Sequence, residues 1–320
     1  MRLRKSLILV GLFGLLGCTG SEAAAPEGAI SAASAQVESP ESAGPSIAAQ
    51  AVLEAPAEPA VQDAPELTQN TRFSYQGELT QGGFIRGLAP DGTLSATLGD
   101  QPLDIAPDGS FFAAFDRDSE GSLTLTAKLE TGRQVQQTLT IAPRKWPTEY
   151  VNVAKRKLRD PEAYWKKREP EYNAIQAARA KVTGATGWKQ DFIWPVKGRI
   201  SGRFGRQRIY KGEPGSYHSG VDIARPSGVP FVASADGVVV LAVTGFSLEG
   251  GLIIIDHGAG LSSAYLHASK LLVKEGDVVR QGQPIGTVGS TGRSTGPHLH
   301  WGLKWNDARF DPVLFAGPIQ

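Results

Sequence analysis

Residues 250–267 read GGLIIIDHGAGLSSAYLH, two β-rich runs, GGLIIIDHG and LSSAYLH, on either side of a glycine-rich turn. The same grammar recurs in GVVVLAV at 237–243 and PIGTVGS at 284–290. Short β-rich runs divided by glycine turns predict an all-β barrel or sandwich over residues 192–315. All five histidines of the chain, His218, His257, His267, His298 and His300, fall inside that region. Five histidines scattered at random over 320 residues would seldom do so.

The stretch STGPHLHWGL, residues 294–303, sets two of them one residue apart. Side chains two apart on a strand share a face, so His298 and His300 can address one site. Upstream, YHSGVDIA offers His218 and Asp222. On a straight strand these would lie about 13 Å apart, too far to share an ion whose bonds are about 2 Å. A bend is required, and Gly220 between them permits one. His267 closes the run AYLH. Histidine nitrogen and carboxylate oxygen suit zinc, and three protein ligands leave a fourth position for water. Two neutral imidazoles and one carboxylate would leave the ion a net positive charge that acidifies this water. Peptide hydrolysis then needs one group to manage the proton and another to steady the oxyanion. The helical H-E-x-x-H signature is missing.

HSGVD, YLH and HLH in this order, with GRISGRFG ahead and VKEGDVVRQGQPIGTVGSTG between the last two, resemble the lysostaphin-type (LytM, M23) zinc peptidases of peptidoglycan. The resemblance covers roughly residues 192–315 and implies a C-terminal β barrel or sandwich of the lysostaphin-type peptidase kind. It also implies that His218, Asp222 and His300 hold a zinc ion, and that His267 and His298 act on the water and the transition state. A substrate is implied as well: peptide cross-links of the bacterial wall, with the D-Ala to diaminopimelate bond as the one cut. Some relatives that have lost metal ligands serve instead as scaffolds that activate wall amidases. This chain keeps all five positions, which favours catalysis over a silent or autoinhibited wall-binding scaffold. His257, in IIIDHGAG, reads as a surface or turn histidine.

Two other motifs carry less. GRSTG at 292–296 matches G-x-S-x-G, but a serine-hydrolase elbow needs a strand, a sharp turn and a helix. Ser294 is followed by Pro297 and the strand-like HLHWGL, so a loop rim is expected. VKEGDVVRQGQPIG resembles the hammerhead of biotinyl and lipoyl carriers, which present a lysine, usually beside Met, at a hairpin tip. The only methionine here is Met1. In the loop GRQRIYKGEPGSY, Arg206, Arg208 and Lys211 are expected to be solvated.

Ahead of the peptidase-like region the expected architecture remains mostly β. Residues 67–145 show strand alternation in SLTLTAKLE and TLTIA, with repeated APDG turns, and predict a small β-sandwich without catalytic residue types. Residues 146–191 read as a helical connector that starts at Asp160 and Pro161 and is broken at Pro170. Tyr164, Trp165 and Tyr172 are expected to serve packing. Residues 19–66 are Ala, Pro, Ser and Glu with hardly an aromatic, a composition expected to form a disordered tether. Such a tether spans about 40 Å as a flexible coil.

MRLRKSLILVGLFGLLGC, residues 1–18, has early basic residues and a short apolar run. It is too short for a comfortable membrane span and reads as an export signal. LLGC resembles a bacterial lipobox, which implies lipidation of Cys18 and, with Thr19 following, an anchor in the outer membrane facing the periplasm. That single cysteine excludes an internal disulfide framework and multi-thiolate zinc sites. With Lys and Arg at 33 against Asp and Glu at 32, the chain lacks the basic surplus of a nucleic-acid binder. The expected partners are peptidoglycan, a membrane through Cys18, and other wall enzymes.

Overall fold

The computed structural model describes residues 70–154 and 159–319; the expected signal peptide, Cys18 and the expected tether lie outside them. The first strands are β1 (Ser74–Gly77), β2 (Phe84–Leu88), β3 (Thr93–Leu98), β4 (Gln101–Leu103), β5 (Ser110–Ala114), β6 (Ser122–Leu129) and β7 (Gln134–Thr140). They form two sheets, ordered β1-β2-β5 and β4-β3-β6-β7. The alternation in SLTLTAKLE does what period two requires. Leu125, Ala127 and Leu129 are buried, in one core with Ile85, Phe111 and Leu139. Strand β5 is buried on both faces: Phe111 packs edge-on against Phe73, while Phe112 packs on Phe310 and Phe315. The sandwich therefore shares its core with the C-terminal domain, and Arg144 adds an ion pair to Asp311 at 3.0 Å.

Residues 146–191 are more than a helical link. They supply β8 (Thr148–Val151), α1 (Pro161–Arg179) and a 3-10 turn at Gly187–Lys189. Asp160 caps α1 by accepting a hydrogen bond from the Ala163 amide. Pro170, expected to break the helix, lies inside it. Pro170 and Lys166, whose carbonyl loses its helical donor, are both exposed, so water can take the vacant place. Trp165 and Tyr172 also depart from expectation, standing 54% and 49% exposed instead of packed. What docks the helix is Ala178, with Ile175, against Val240, Leu252 and Ile254. A polar clamp joins this contact: Arg168 donates to both oxygens of Glu249 at 2.7 Å, and Glu171 accepts from the Ser247 amide and hydroxyl.

The C-terminal domain contains β9 (Arg199–Gly202), β10 (Gln207–Tyr210), β11 (Glu213–Tyr217), β12 (Val221–Ala224), β13 (Pro230–Val232), β14 (Gly237–Phe246) and β15 (Gly250–Gly258). There follow β16 (Leu261–Ala268), β17 (Lys270–Leu271), β18 (Val278–Val279), β19 (Pro284–Thr287), β20 (His298–Trp305), β21 (Ala308–Phe310) and α2 (Pro312–Ala316). The main sheet runs β18-β14-β15-β16-β20-β12-β9, with β21 beside β20. Smaller sheets run β13-β19-β17 and β11-β10-β8. The run GGLIIIDHG is continuous because β15 is buried along its whole length. Ile253 and Ile255 face the main core, whereas Leu252 and Ile254 face α1. A strand covered on both sides has no need of a polar face. Strand β20 alternates instead: Leu299, Trp301, Leu303 and Trp305 enter the core, which leaves His298, His300, Gly302 and Lys304 on the opposite face.

Arg206 and Arg208 are exposed to solvent, as expected, but they flank and enter β10, where both donate to Glu149 on β8. One expectation is corrected here. His257 is not a surface histidine but is fully enclosed in β15. Its Nδ1 donates to the Asp236 carbonyl at 2.7 Å and its Nε2 meets the Ser263 hydroxyl at 2.7 Å. The sequence IIIDHGAG hid this because the glycines that signal the turn begin only at Gly258, one residue later.

Burial pushes His257 down to about 4 against an ordinary value of 6.5. The folded chain thus refuses a proton that the unfolded chain accepts. Stability is full above about pH 6.5 and falls as pH drops towards 4, by about 3 kcal/mol for this group. Urea unfolding at pH 7 and pH 5 should show the loss, and His257→Gln should flatten that dependence by about one proton. An unchanged slope would refute the assignment.

Candidate metal centre

Strands β12 and β20 are antiparallel neighbours in a register that sets Asp222 directly opposite His300. Directly opposed residues carry their Cβ atoms about 5 Å apart, so a carboxylate and an imidazole meet without further help. His218 precedes β12, and the chain bends at Gly220 to bring it back. His218 Nε2 lies 2.9 Å from Asp222 Oδ1 and 3.0 Å from His300 Nδ1, and His300 Nδ1 lies 2.9 Å from the same oxygen.

These three atoms form a triangle of electron-pair donors with too few protons to satisfy it. His218 Nδ1 faces the Arg203 carbonyl at 3.0 Å, which can only accept, so that nitrogen carries the proton and Nε2 presents a lone pair. A cation bonded at about 2 Å to tetrahedral ligands spaces them about 3.3 Å apart, within a few tenths of an ångström of the triangle observed. The donor set therefore fits a divalent metal ion, and His218, Asp222 and His300 are the residues that could hold it.

Gly220 has a second purpose besides the bend. A Cβ there would lie 2.4 Å from the Trp301 carbonyl and 2.7 Å from His300 Nε2. Gly202, opposite Asp222 on β9, likewise leaves room, since its Cβ would fall 2.2 Å from Asp222 Oδ2. The GRISGRFG and HSGVD stretches thus contribute glycines that let side chains and backbone approach the centre.

His267 and His298 stand beside this triangle, their rings 4.7 Å apart, with His267 6.3 Å from the His300 ring. His267 Nδ1 points at the Thr291 carbonyl at 2.8 Å and His298 Nδ1 at the Gly296 carbonyl at 2.8 Å. Both rings therefore keep their proton on Nδ1 and turn Nε2 inward; His298 Nε2 reaches within 3.6 Å of Asp222 Oδ1. His267 adopts a left-handed backbone, φ 66°, a conformation that costs a non-glycine residue about 1–3 kcal/mol. It is held by the hydrogen bond that its backbone N–H donates to the Glu249 carbonyl and by the contact to Thr291. Reasoning from residue types could not find these orienting carbonyls, because every residue has one. Ser294 is confirmed as a loop residue: its hydroxyl donates to the Gly296 carbonyl, and the chain runs on into a strand, not a helix.

The electrostatics separate the histidines. Burial works against charge on Asp222, yet hydrogen bonds from His218 and His300 hold its carboxyl far below the usual range. Burial also opposes a proton on His218, but the bond to Asp222 and its charge win and raise that ring above its ordinary value. His300 is lowered, chiefly by burial. His267 is pushed down to about 4 by burial, with repulsion from His298 and His300 adding to it. It is therefore neutral at physiological pH with Nε2 free to accept.

A β-sheet domain that gathers two imidazoles and a carboxylate, with two further imidazoles alongside, has the constitution of a metallohydrolase. Residues 216–312 match peptidase family M23, and the chain carries an M23 peptidase domain. Over 113 residues it is 44% identical to the peptidoglycan DD-endopeptidase ShyA of Vibrio cholerae, a match covering 34% of this chain and 26% of that one. It is 42% identical over 123 residues to the DD-carboxypeptidase/endopeptidase Mpg of Neisseria meningitidis, covering 38% and 27%. The chain thus spans about a quarter of the length of these curated relatives. A crystal structure from Pseudomonas aeruginosa described as a peptidase M23 superimposes with a TM-score of 0.58 at 27% identity, covering 75% of this chain and 96% of that one. That similarity extends well beyond residues 216–312.

Replacing Gly220 with alanine should force the His218 segment away from β20. Divalent-metal affinity, measured by chelator competition, should fall at least tenfold while the far-ultraviolet circular dichroism stays unchanged. Undiminished affinity would show that the close approach is not needed.

Proposed function

We propose that this protein is a zinc-dependent endopeptidase that hydrolyses peptide cross-links of peptidoglycan, at the bond between D-Ala and diaminopimelate. The observation that carries the reading is the convergence of His218, Asp222, His300, His267 and His298 on one site, with a backbone carbonyl orienting each of His218, His267 and His298. Relatives named as peptidoglycan DD-endopeptidases support the substrate. In this reading His218, Asp222 and His300 are the metal ligands, and His267 and His298 the catalytic pair.

A bound zinc ion would polarise the scissile carbonyl and acidify the attacking water. His267 takes the proton of that water at Nε2, a position kept open because Nδ1 is engaged by Thr291. Its low affinity for protons in the resting state favours the neutral base from the outset. The proton passes from His267 Nε2 to the departing amine nitrogen, while His298, held at Nδ1 by the Gly296 carbonyl, turns Nε2 towards the same space and in its imidazolium form would steady the negative oxygen. Asp222 stays ionised throughout and would offset the charge of a bound cation. The scaffold alternative is disfavoured because none of these positions is lost.

The setting follows from the substrate. Action on peptidoglycan places the protein in the cell envelope, in the periplasm. The proposed anchor is a lipid on Cys18 in the outer membrane, with other wall enzymes as neighbours.

The test incubates the purified protein with cross-linked muropeptides and follows monomer release by chromatography. Chelator should abolish cleavage and zinc should restore it. His267→Ala should lower kcat by about 10²–10⁴-fold while retaining metal. Cleavage that survives both treatments, or intact muropeptides with zinc-loaded wild type, would overturn the proposal.

A further inference from the structure

We infer that a free carboxylate of the substrate peptide, remote from the scissile bond, docks in the cleft between α1 and the main sheet on Arg179, Lys304 and Arg309. This deepens the reading above and rests on it for the identity of the peptide. The cleft, about 190 Å³, opens beside Ser219 and His300 and is walled by α1 through Tyr172 and Arg179. It thus adjoins the metal centre at His300 and lies on the sheet face that carries His300, Gly302 and Lys304.

Its charge is one-sided. Arg168, Arg179, Lys304 and Arg309 line it, against a single carboxylate, Glu249. That carboxylate is spoken for, because Arg168 donates to both its oxygens. Lys304 has one partner, Asp307 at 2.9 Å, which is not part of the lining. Arg309 is exposed at the mouth and bonds the Tyr217 hydroxyl. Arg179 is the telling member: its Nε is enclosed and has no hydrogen-bond partner among the described residues. A buried guanidinium nitrogen left bare is unfavourable, and a carboxylate accepting from it would remove that penalty.

The cations also strain one another. Burial first, and then repulsion from Arg309, lower Arg179 to about 10. Lys304 is lowered by burial and by both arginines, in spite of Asp307. An anion among them relieves all three at once.

Position defines which carboxylate fits. Four residues of strand separate His300 from Lys304, about 13 Å. That offset along β20 sets the pocket apart from the bond under attack, so the pocket suits an acidic group further along the peptide. That is the geometry of an endopeptidase with a preference for acidic stems.

The experiment uses purified muropeptide dimers and the same dimers converted to carboxamides with carbodiimide and ammonia. Two readouts are taken: kcat/KM with the zinc-loaded protein, and calorimetric affinity with the chelator-treated protein, which needs no catalysis. Wild type should favour the carboxylate form by about 10-fold or more in both. Arg179→Gln and Lys304→Gln should bring that ratio towards one, Arg179→Lys should restore much of it, and Arg309→Gln, on an exposed side chain, guards against a folding artefact. A ratio in all three neutral variants equal to wild type, or no discrimination by wild type, would overturn the pocket. Carboxylate-dependent binding without any cleavage would support the pocket and count against the hydrolase reading.

Discussion

The register between β12 and β20 is the constraint on which everything else rests. It sets Asp222 opposite His300 and, on the same strand, Val221 opposite Trp301. Because side chains alternate, a slip of one residue would turn His298 and His300 into the core and expose Leu299, Trp301, Leu303 and Trp305. Burying each of those large apolar side chains is worth about 1.5–3 kcal/mol. Their sum is comparable with the whole stability of a domain, about 5–15 kcal/mol. The hydrophobic face of β20 thus fixes the position of the polar one.

Around that register the protein gathers groups that repel or crowd one another. Asp222 keeps its charge in spite of burial because two imidazoles bond it. His267 keeps a left-handed backbone because Glu249 and Thr291 hold its amide and its ring. Glu249 also receives Arg168, so one residue ties the strained histidine to the helix that covers β15. The structural clamp of α1 and the wall of the cleft beside the metal centre are therefore the same piece of chain.

Much of the site was legible in advance. Period two put His298 and His300 on one face, the spacing of His218 and Asp222 demanded a bend, and the resemblance to lysostaphin-type peptidases named the remaining members. The errors share one cause. Pro170 inside α1, the exposure of Trp165 and Tyr172 and the burial of His257 all depend on what a segment packs against. Local composition carries no record of that neighbour.

The sequence by itself determined a mostly β chain, its turn positions and the short list of residues able to bind a cation, since these follow from alternation, glycine and side-chain chemistry. Only the tertiary structure decided that α1 covers the second face of β15, that a carbonyl orients each of three site histidines, and that Arg179 stands with Lys304 and Arg309. Those facts join residues as much as 130 positions apart, from Arg179 to Arg309. Contacts of such range are set by the minimum of the whole packed chain and not by any one stretch of it.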